Sequence, residues 1–261
     1  MLLLGNEAIA RGAIEAGVAF TRTYPGTPSS EISTNFFHMA RESDLYFEYC
    51  TNEKIAKEVA AAAANSGVRS MCVIKQVGVN VAADALMTLA YVGVKGGMVI
   101  LSADDPFMFS SQNEQDNRYY AKLAGLPMLE PSSVAEAKNM VADAFDLSEK
   151  LQEPVLFRTT TRINHSTGVV TLADIKPRVT QGKFTKDPIN LVVVPAVARN
   201  LHVKLLKNYD TARDLAESSD HNLIIGSGDR GIICNGVSYN YVSDALKDLK
   251  AEDSIKVLRM G

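Results

Sequence analysis

Two kinds of hydrophobic spacing alternate along the first 165 residues. Apolar side chains repeat at helical spacing and predict helices over 5–17, 29–41, 51–67, 79–90 and 134–151. Short apolar or alternating segments typical of strands lie between them, at 18–23, 45–50, 69–75, 97–102 and 154–158. Buried strands that alternate with helices indicate a parallel sheet covered on both faces. We therefore expect a three-layer α/β fold.

The pattern changes after residue 167. Scattered prolines and β-branched residues over 168–200 predict an extended linker, with a strand end at 191–194. A charged amphipathic helix over 199–218 follows, and then strands at 221–225, 232–234 and 255–258 with a helix over 237–249. We therefore expect a first domain over 1–167, a linker over 168–200 and a partial second α/β domain over 201–261.

Composition excludes several classes of function. The 261 residues carry a net charge of −3, which gives no electrostatic reason to bind nucleic acid or an anionic membrane. No apolar run is long enough to span a membrane or to form a signal peptide, so we expect a cytoplasmic protein. Cys50, Cys72 and Cys234 are too far apart in sequence to suggest an iron–sulfur cluster, and the four histidines show no metal-binding spacing.

The helix predicted over 51–67 carries the most informative polar residue. Thr51 or Asn52 is a suitable N-cap, and the following alanines leave one helix face without bulk, so a backbone or a flat ligand can approach it. Glu53 lies at the start of this helix. From sequence alone it is most simply a surface residue, stabilised by the helix dipole and able to pair with Lys57 one turn later.

Polar loops follow three of the predicted strands, at the edge where parallel sheets bind ligands. They comprise Tyr24 to Ser30, Lys75 to Asn80, and the long stretch from Ala103 to Arg118. Each is also compatible with an ordinary turn or a solvated loop. Residues 226–231 read G-x-G-x-x-G, but a strand rather than a helix is predicted after them, which argues against a dinucleotide site.

Several of these motifs resemble one family. The Asn-Glu pair that opens a small-residue helix is similar to the pyrimidine-binding domain of thiamine diphosphate enzymes, and Tyr24 to Ser30 resembles a segment of 2-oxoacid:ferredoxin oxidoreductases. Within that family, the likeness is greatest to alpha subunits acting on indolepyruvate. It rests on 94–97, 103–106 and 110–118, on Asn6-Glu7-Ala8, and on the segment 161–166, and it extends over essentially the whole chain.

The resemblance implies specific roles. Glu53 would hydrogen-bond N1′ of the aminopyrimidine and activate the cofactor. Gln76, Val77 and Gly78 would pack their backbone against the pyrimidine ring. Thr27 would lie beside the reacting carbons, and Arg118 would hold the carboxylate of a 2-oxo acid, although a structural salt bridge is an alternative for Arg118. Phe107 and Phe109 would face an aryl side chain or simply anchor their loop. No residue is expected to bind a metal.

Two features of the family are missing from these 261 residues, namely the Gly-Asp-Gly motif that holds Mg²⁺ and diphosphate, and the cysteine-rich ferredoxin-like tail. We therefore expect the pyrimidine half of an active site, inactive as this chain alone, from either a split gene or a truncated chain. A partner domain or chain would hold the diphosphate and Mg²⁺. Iron–sulfur clusters would lie on a partner or a missing segment, and a small beta-type subunit would complete an oligomer.

The implied reaction is oxidative decarboxylation of an aryl pyruvate to an acyl-coenzyme A, with ferredoxin as electron acceptor. The same chemistry on pyruvate, 2-oxoglutarate or a branched-chain 2-oxo acid is an alternative. A non-catalytic assembly subunit is another, and a free-standing nucleotide-binding protein using residues 226–231 is a third.

Overall fold

The structure, a computed structural model, describes residues 1–261. Its elements in chain order are β1 (Leu2–Leu4), α1 (Gly5–Glu15), β2 (Phe20–Thr23), α2 (Ser30–Met39), β3 (Tyr46–Tyr49), α3 (Glu53–Asn65), β4 (Ser70–Lys75), α4 (Gln76–Val81), α5 (Ala83–Val92), β5 (Met98–Asp104), α6 (Arg118–Ala124), β6 (Met128–Leu129), α7 (Val134–Leu151), β7 (Val155–Thr160), α8 (Thr161–Asn164), β8 (Thr167–Val169), α9 (Pro188–Leu191), α10 (Pro195–Glu217), β9 (Leu223–Ile225), β10 (Arg230–Asn235), α11 (Ser238–Asp248) and β11 (Ile255–Met260).

Six strands form one parallel sheet in the order β3-β2-β4-β5-β7-β6. Helices cover both of its faces. Because successive strand residues point to opposite faces, Met71 and Val73 of β4 enter one core while Cys72 and Ile74 enter the other. This confirms the predicted three-layer α/β fold.

The two cores are built from different side chains. The face covered by α1, α2 and α7 is filled by bulky residues such as Ile14, Phe36 and Phe145. On the opposite face, α3 contributes only alanines, including Ala56 and Ala60, and therefore packs close to the sheet. Asn52 caps α3, since its Oδ1 accepts a hydrogen bond from the Ile55 amide at 2.9 Å.

A three-stranded sheet in the order β10-β11-β9 forms a second, smaller unit with α11. β10 is parallel to β11, whereas β9 is antiparallel to it. The G-x-G-x-x-G sequence leads into strand β10, so the strand–turn–helix arrangement of a dinucleotide site is absent here.

Other expectations are corrected by the structure. The prediction of a strand end at 191–194 is wrong, because Leu191 ends the short helix α9 and α10 already begins at Pro195. The helix predicted over 79–90 is interrupted at Ala82 and begins earlier, as α4. The antiparallel pair β1–β8 was not predicted, because three-residue strands carry too little periodicity.

The boundaries of the three proposed segments remain a prediction. Two observations bear on how the linker region is attached. β8, at the start of the proposed linker, pairs with β1. Leu205 of α10 belongs to the proposed second domain, yet it packs into the core of the first unit. None of the helices combines the length and the apolar composition that a membrane span requires.

Candidate active site

The candidate site lies where the strand order of the large sheet reverses. β3 is on one side of β2 and β4 is on the other, so the connections leave the β2–β4 pair in opposite directions. A crevice opens beyond the carboxyl ends of strands at such a point, and ligands of open α/β sheets bind there. Thr23 ends β2 and Lys75 ends β4, while Glu53 follows β3 after a short connection.

Glu53 is buried at the first turn of α3, with 8% of its surface exposed. It lies against Gly78, because a Cβ placed on Gly78 would be 2.6 Å from Glu53 Cγ and 2.9 Å from its Oε1. The carboxylate receives no hydrogen bond and makes no ion pair with Lys57. Lys54 instead pairs with Asp84 at 2.8 Å. The alternative of an exposed capping residue paired with Lys57 therefore finds no support.

Lys57, one turn after Glu53, is almost completely buried, with 2% exposed. Burial lowers the pKa of its ammonium to about 8. Cys72 in the neighbouring strand is fully buried, and this desolvation raises the pKa of its thiol. Burial thus shifts both Lys57 and Cys72 toward their neutral forms.

Gln76 to Gly78 form the first turn of α4, so the loop expected at 75–80 is helical instead. Asn117 fixes this turn, since its Nδ2 donates to the Gln76 carbonyl at 3.1 Å and to Ser102 Oγ at 2.7 Å. Gln76 Nε2 donates to the Asn113 carbonyl at 3.3 Å. Gln76 Oε1 and Asn117 Oδ1 are buried acceptors that receive no hydrogen bond. The role of Asn117 was missed, although it belongs to the polar run that carries the family resemblance.

Thr27 is exposed on the loop after β2, and the Thr27–Pro28 peptide bond is cis. Asn6 holds the loop, because its Nδ2 donates to the Pro28 carbonyl at 2.8 Å. Asn164 in turn donates to Asn6 Oδ1 at 2.5 Å. Two sequence motifs that are 158 residues apart therefore meet beneath the loop, a role that sequence reasoning did not assign.

The same loop lies against the end of β4. A Cβ on Gly26 would approach Lys75 Cδ to 2.7 Å, so glycine at this position lets the loop pack on the lysine stem. Thr27 and the α4 turn are thereby brought to the same edge of the sheet. Lys75 Nζ also lies 3.4 Å from Gln112 Oε1, which links this edge to the loop after β5.

Arg118 begins α6 and is partly exposed. Its guanidinium makes a two-point pair with Asp116, with Nε 2.8 Å from Oδ1 and Nη2 2.7 Å from Oδ2. These hydrogen bonds hold the pKa of the Asp116 carboxyl below its usual value. Arg118 Nη1 also donates to Asn235 Oδ1 at 3.3 Å. The residue that precedes it, Asn117, hydrogen-bonds the Gln76 carbonyl, whereas the partners of the Arg118 guanidinium are Asp116 and Asn235 and not the residues of that turn.

A buried charge cluster underlies the loop that carries Arg118. Arg158 Nε donates to Asp104 Oδ2 at 2.7 Å, and its Nη1 donates to Glu130 Oε1 at 2.5 Å. Burial raises the pKa of both carboxyls, and the shared arginine opposes that effect. Asp104 Oδ2 also accepts from the Asn117 amide at 3.1 Å. An arginine within a buried strand was the sequence signal for this cluster, and it was not used.

Phe107 and Phe109 are 75% and 64% exposed on the loop after β5. Phe107 has a φ of 65°, an uncommon backbone conformation for a residue with a side chain. Asp105 braces this loop by accepting from the Ser110 amide at 2.9 Å and from Thr161 Oγ1 at 2.8 Å. Nowhere in residues 1–261 do three or more His, Cys, Asp or Glu side chains converge to form a metal site.

These features define a class of protein. A parallel α/β domain that presents a buried, hydrogen-bond-free glutamate at its topological switch point, against a glycine, has the arrangement expected of a pyrimidine-binding domain. The sequence profile of the family described as "Pyruvate flavodoxin/ferredoxin oxidoreductase, thiamine diP-bdg" matches residues 11–188. The chain belongs to this family.

Individual relatives agree with this assignment. The chain is 50% identical to indolepyruvate oxidoreductase subunit IorA of Methanothermobacter thermautotrophicus, over 100% of this chain and 42% of that protein. It is 31% identical to the 2-oxoglutarate synthase subunit KorA of the same organism, over 68% of this chain and 49% of that protein. The chain thus spans about two fifths of the length of its indolepyruvate oxidoreductase relative.

A solved structure shares the fold across nearly the whole chain. It is 2-oxoglutarate:ferredoxin oxidoreductase from Magnetococcus marinus, with 2-oxoglutarate, coenzyme A and succinyl-CoA bound. The match has a TM-score of 0.80 at 18% identity and covers 99% of this chain and 53% of that one. The shared fold therefore extends beyond the six-stranded sheet to the β9–β11 sheet.

Proposed function

We propose that this chain is the pyrimidine half of a thiamine diphosphate-dependent oxidoreductase that oxidatively decarboxylates aryl pyruvates such as indolepyruvate. One 2-oxo acid anion and one coenzyme A thiol give one acyl-coenzyme A, one CO₂ and one proton, and the two electrons released pass singly to ferredoxin. The observation that carries the proposal is Glu53, a buried carboxylate with no protein donor at the switch point of the sheet. It is free to accept a hydrogen bond from a ligand.

The residues around Glu53 suit an aminopyrimidine. Gly78 leaves the space that the glutamate side chain occupies, and the short α4 turn presents backbone rather than bulky side chains beside it. Glu53 would hold a proton shared with N1′ of the ring, and Gln76, Val77 and Gly78 would pack against its face. Thiamine diphosphate, when bound, supplies the electron sink needed to cleave the bond between the carboxylate and the 2-oxo carbon.

On the substrate side, we assign Thr27 to the reacting carbons and Arg118 to the carboxylate. A guanidinium matches a carboxylate with two parallel hydrogen bonds, the arrangement that Arg118 already makes with Asp116. Binding of a 2-oxo acid would therefore replace Asp116 or share the guanidinium with it. The exposed rings of Phe107 and Phe109 are available to contact an aryl group.

The remaining parts of the enzyme are assigned to partners. A diphosphate-binding domain or chain would hold the diphosphate and Mg²⁺, and other segments or subunits would carry the iron–sulfur clusters that pass electrons to ferredoxin. A small beta-type subunit would complete the oligomer. This division agrees with relatives that are more than twice as long as this chain. We place the assembly in the cytoplasm.

Sequence similarity favours aryl pyruvates over 2-oxoglutarate. Identity is 50% to the relative named for indolepyruvate and 31% to the relative named for 2-oxoglutarate synthase. The competing view of a non-catalytic assembly subunit predicts that Glu53 is dispensable.

The test is anaerobic. The complex that carries this chain is purified from its native cells, and coenzyme A-dependent viologen reduction is followed with indolepyruvate, pyruvate and 2-oxoglutarate. Glu53→Gln should reduce the rate by about a hundredfold or more, because the cofactor loses its proton partner. Glu58→Gln, on the exposed side of the same helix, is the matched control and should retain activity. Equal activity of Glu53→Gln and wild type would refute the proposal, and a faster rate with 2-oxoglutarate would reassign the substrate.

A further inference from the structure

Asn235, the last residue of β10, reaches from the second unit to Arg118 and Glu130 of the first. Its Nδ2 donates to Glu130 Oε2 at 2.7 Å, and its Oδ1 accepts from Arg118 Nη1 at 3.3 Å. Both functional groups of the amide are therefore used, one on each side. It is the point at which the second unit touches the proposed substrate-binding arginine.

The chain is shaped for this approach. Gly236 follows with a φ of 51°, and a Cβ at that position would overlap the Glu130 carboxylate. The Asn235-Gly236 turn can therefore pack directly against Glu130 only because residue 236 is glycine. A turn with any larger residue there would lift Asn235 away from the arginine.

The orientation of the Asn235 amide is determined by what lies beneath it. Glu130 is 5% exposed and is held by Arg158, which is itself anchored by Asp104. A carboxylate oxygen accepts hydrogen bonds, so the Asn235 NH₂ must face Glu130 and the carbonyl must face outward. The buried cluster thus sets which end of the amide meets Arg118.

We infer that Asn235 is a positioning residue for substrate binding: its carbonyl, oriented by Glu130, aims the Arg118 guanidinium at the substrate carboxylate. The inference rests on the proposed function. Asp116 hydrogen-bonds one edge of the guanidinium, and Asn235 adds a hydrogen bond to Nη1 from another element of the fold. Through it the second unit supplies part of the substrate side of the site, and the two units must be docked for the site to be complete.

The experiment uses the purified complex with Asn235→Ala. The KM for the 2-oxo acid should rise about fivefold to tenfold, while kcat changes less than twofold. This loss corresponds to one ordinary hydrogen bond, because Asn235 contacts the arginine and not the substrate itself. Calorimetric titration with indole-3-lactate, a 2-hydroxy analogue that cannot be decarboxylated, should show the same loss of affinity without turnover. Asn240→Ala is the matched control, because Asn240 donates across the same unit boundary to the Ser132 carbonyl at 2.7 Å without touching Arg118.

A double-mutant cycle tests the route through Glu130. Glu130→Gln keeps an acceptor for Arg158 but puts an NH₂ group opposite the Asn235 NH₂, so the Asn235 amide turns over and presents a donor to Arg118. Glu130→Gln as a single substitution should raise KM, and combining it with Asn235→Ala should raise KM no further than Asn235→Ala does. Should Asn235→Ala fail to fold, Asn235→Asp has the same shape and should also raise KM, since its charge opposes Glu130 and neutralises Arg118.

Three results would overturn the inference while leaving the proposed function intact. They are an unchanged KM in Asn235→Ala, an equal rise of KM in Asn240→Ala, and additive effects of Glu130→Gln and Asn235→Ala on KM. A wild-type complex that oxidises no 2-oxo acid would instead overturn the proposed function, and this inference with it.

Discussion

Replacing Gly78 with alanine separates the stability of the domain from its proposed cofactor binding. The new methyl group would be 2.6 Å from Glu53 Cγ and 2.9 Å from Oε1, where contact is ordinary at about 3.4 Å. Glu53 must therefore move by roughly 0.8 Å, or turn to another rotamer, away from the position in which the proposed function has it meet the aminopyrimidine ring.

The effects on stability nearly cancel. Alanine is about 1 kcal/mol more favourable than glycine within a helix, and an off-rotamer Glu53 side chain costs about the same amount. The free energy of unfolding should therefore change by less than about 1 kcal/mol. Displacing Glu53 from its proposed contact with N1′ would remove a charge-assisted hydrogen bond of about 1.5–3 kcal/mol, which corresponds to a loss of affinity of roughly 10- to 150-fold.

Isothermal titration of thiamine diphosphate into the cofactor-free complex measures this loss directly, and urea unfolding measures stability. Gly231→Ala is the control, because the nearest atom to a Cβ there is 3.9 Å away. If Gly78→Ala binds thiamine diphosphate as tightly as the wild type, then the position of Glu53 beside Gly78 is not the one that binds the cofactor. A large loss of stability would show instead that Glu53 has no room to move.

Three further predictions concern stability. Arg158→Met leaves two buried carboxylates without their cation and should lower the free energy of unfolding by about 3–5 kcal/mol in urea. Burial raises the pKa of Glu153 from 4.5 to about 7. Between these two values the folded state holds a proton on Glu153 that the unfolded state has lost. The free energy of unfolding should therefore fall by up to about 3 kcal/mol as the pH rises through that range. Glu153→Gln should remove this pH dependence. Asn6→Ala removes the donor to the Thr27 loop and should cost about 2 kcal/mol, seen as a lower Tm.

Each of these predictions has a contrary outcome. Arg158→Met that unfolds at the wild-type urea concentration would mean that the carboxylates are protonated and need no cation. A Glu153→Gln protein whose stability still declines between pH 4.5 and 7 would assign that decline to other groups. A wild-type Tm in Asn6→Ala would show that the loop is held by its own turn, in which the Ser29 amide donates to the Gly26 carbonyl at 2.9 Å.

Elements with strong periodicity were predictable from the sequence, and short or irregular ones were not. The long helix over 134–151 was predicted with its observed bounds, because its apolar residues recur over five turns from a Ser133 N-cap. The two-residue strand β6 has no period to detect. The segment over 191–194 has three consecutive valines, which favour a strand locally, yet no neighbouring strand is there to pair with them.

The sequence by itself determined the layered α/β fold, the family, and the start of the helix that carries Glu53, since these depend on local spacing and on contiguous motifs. Only the tertiary structure decided that Glu53 is buried without a partner against Gly78, that Asn6 meets Asn164, and that Asn235 lies between Arg118 and Glu130. These pairs are distant in the chain, and local patterns contain no information about which loops converge at the carboxyl edge of a sheet. The packing of strands and helices fixes that convergence, and with it the chemistry of the site.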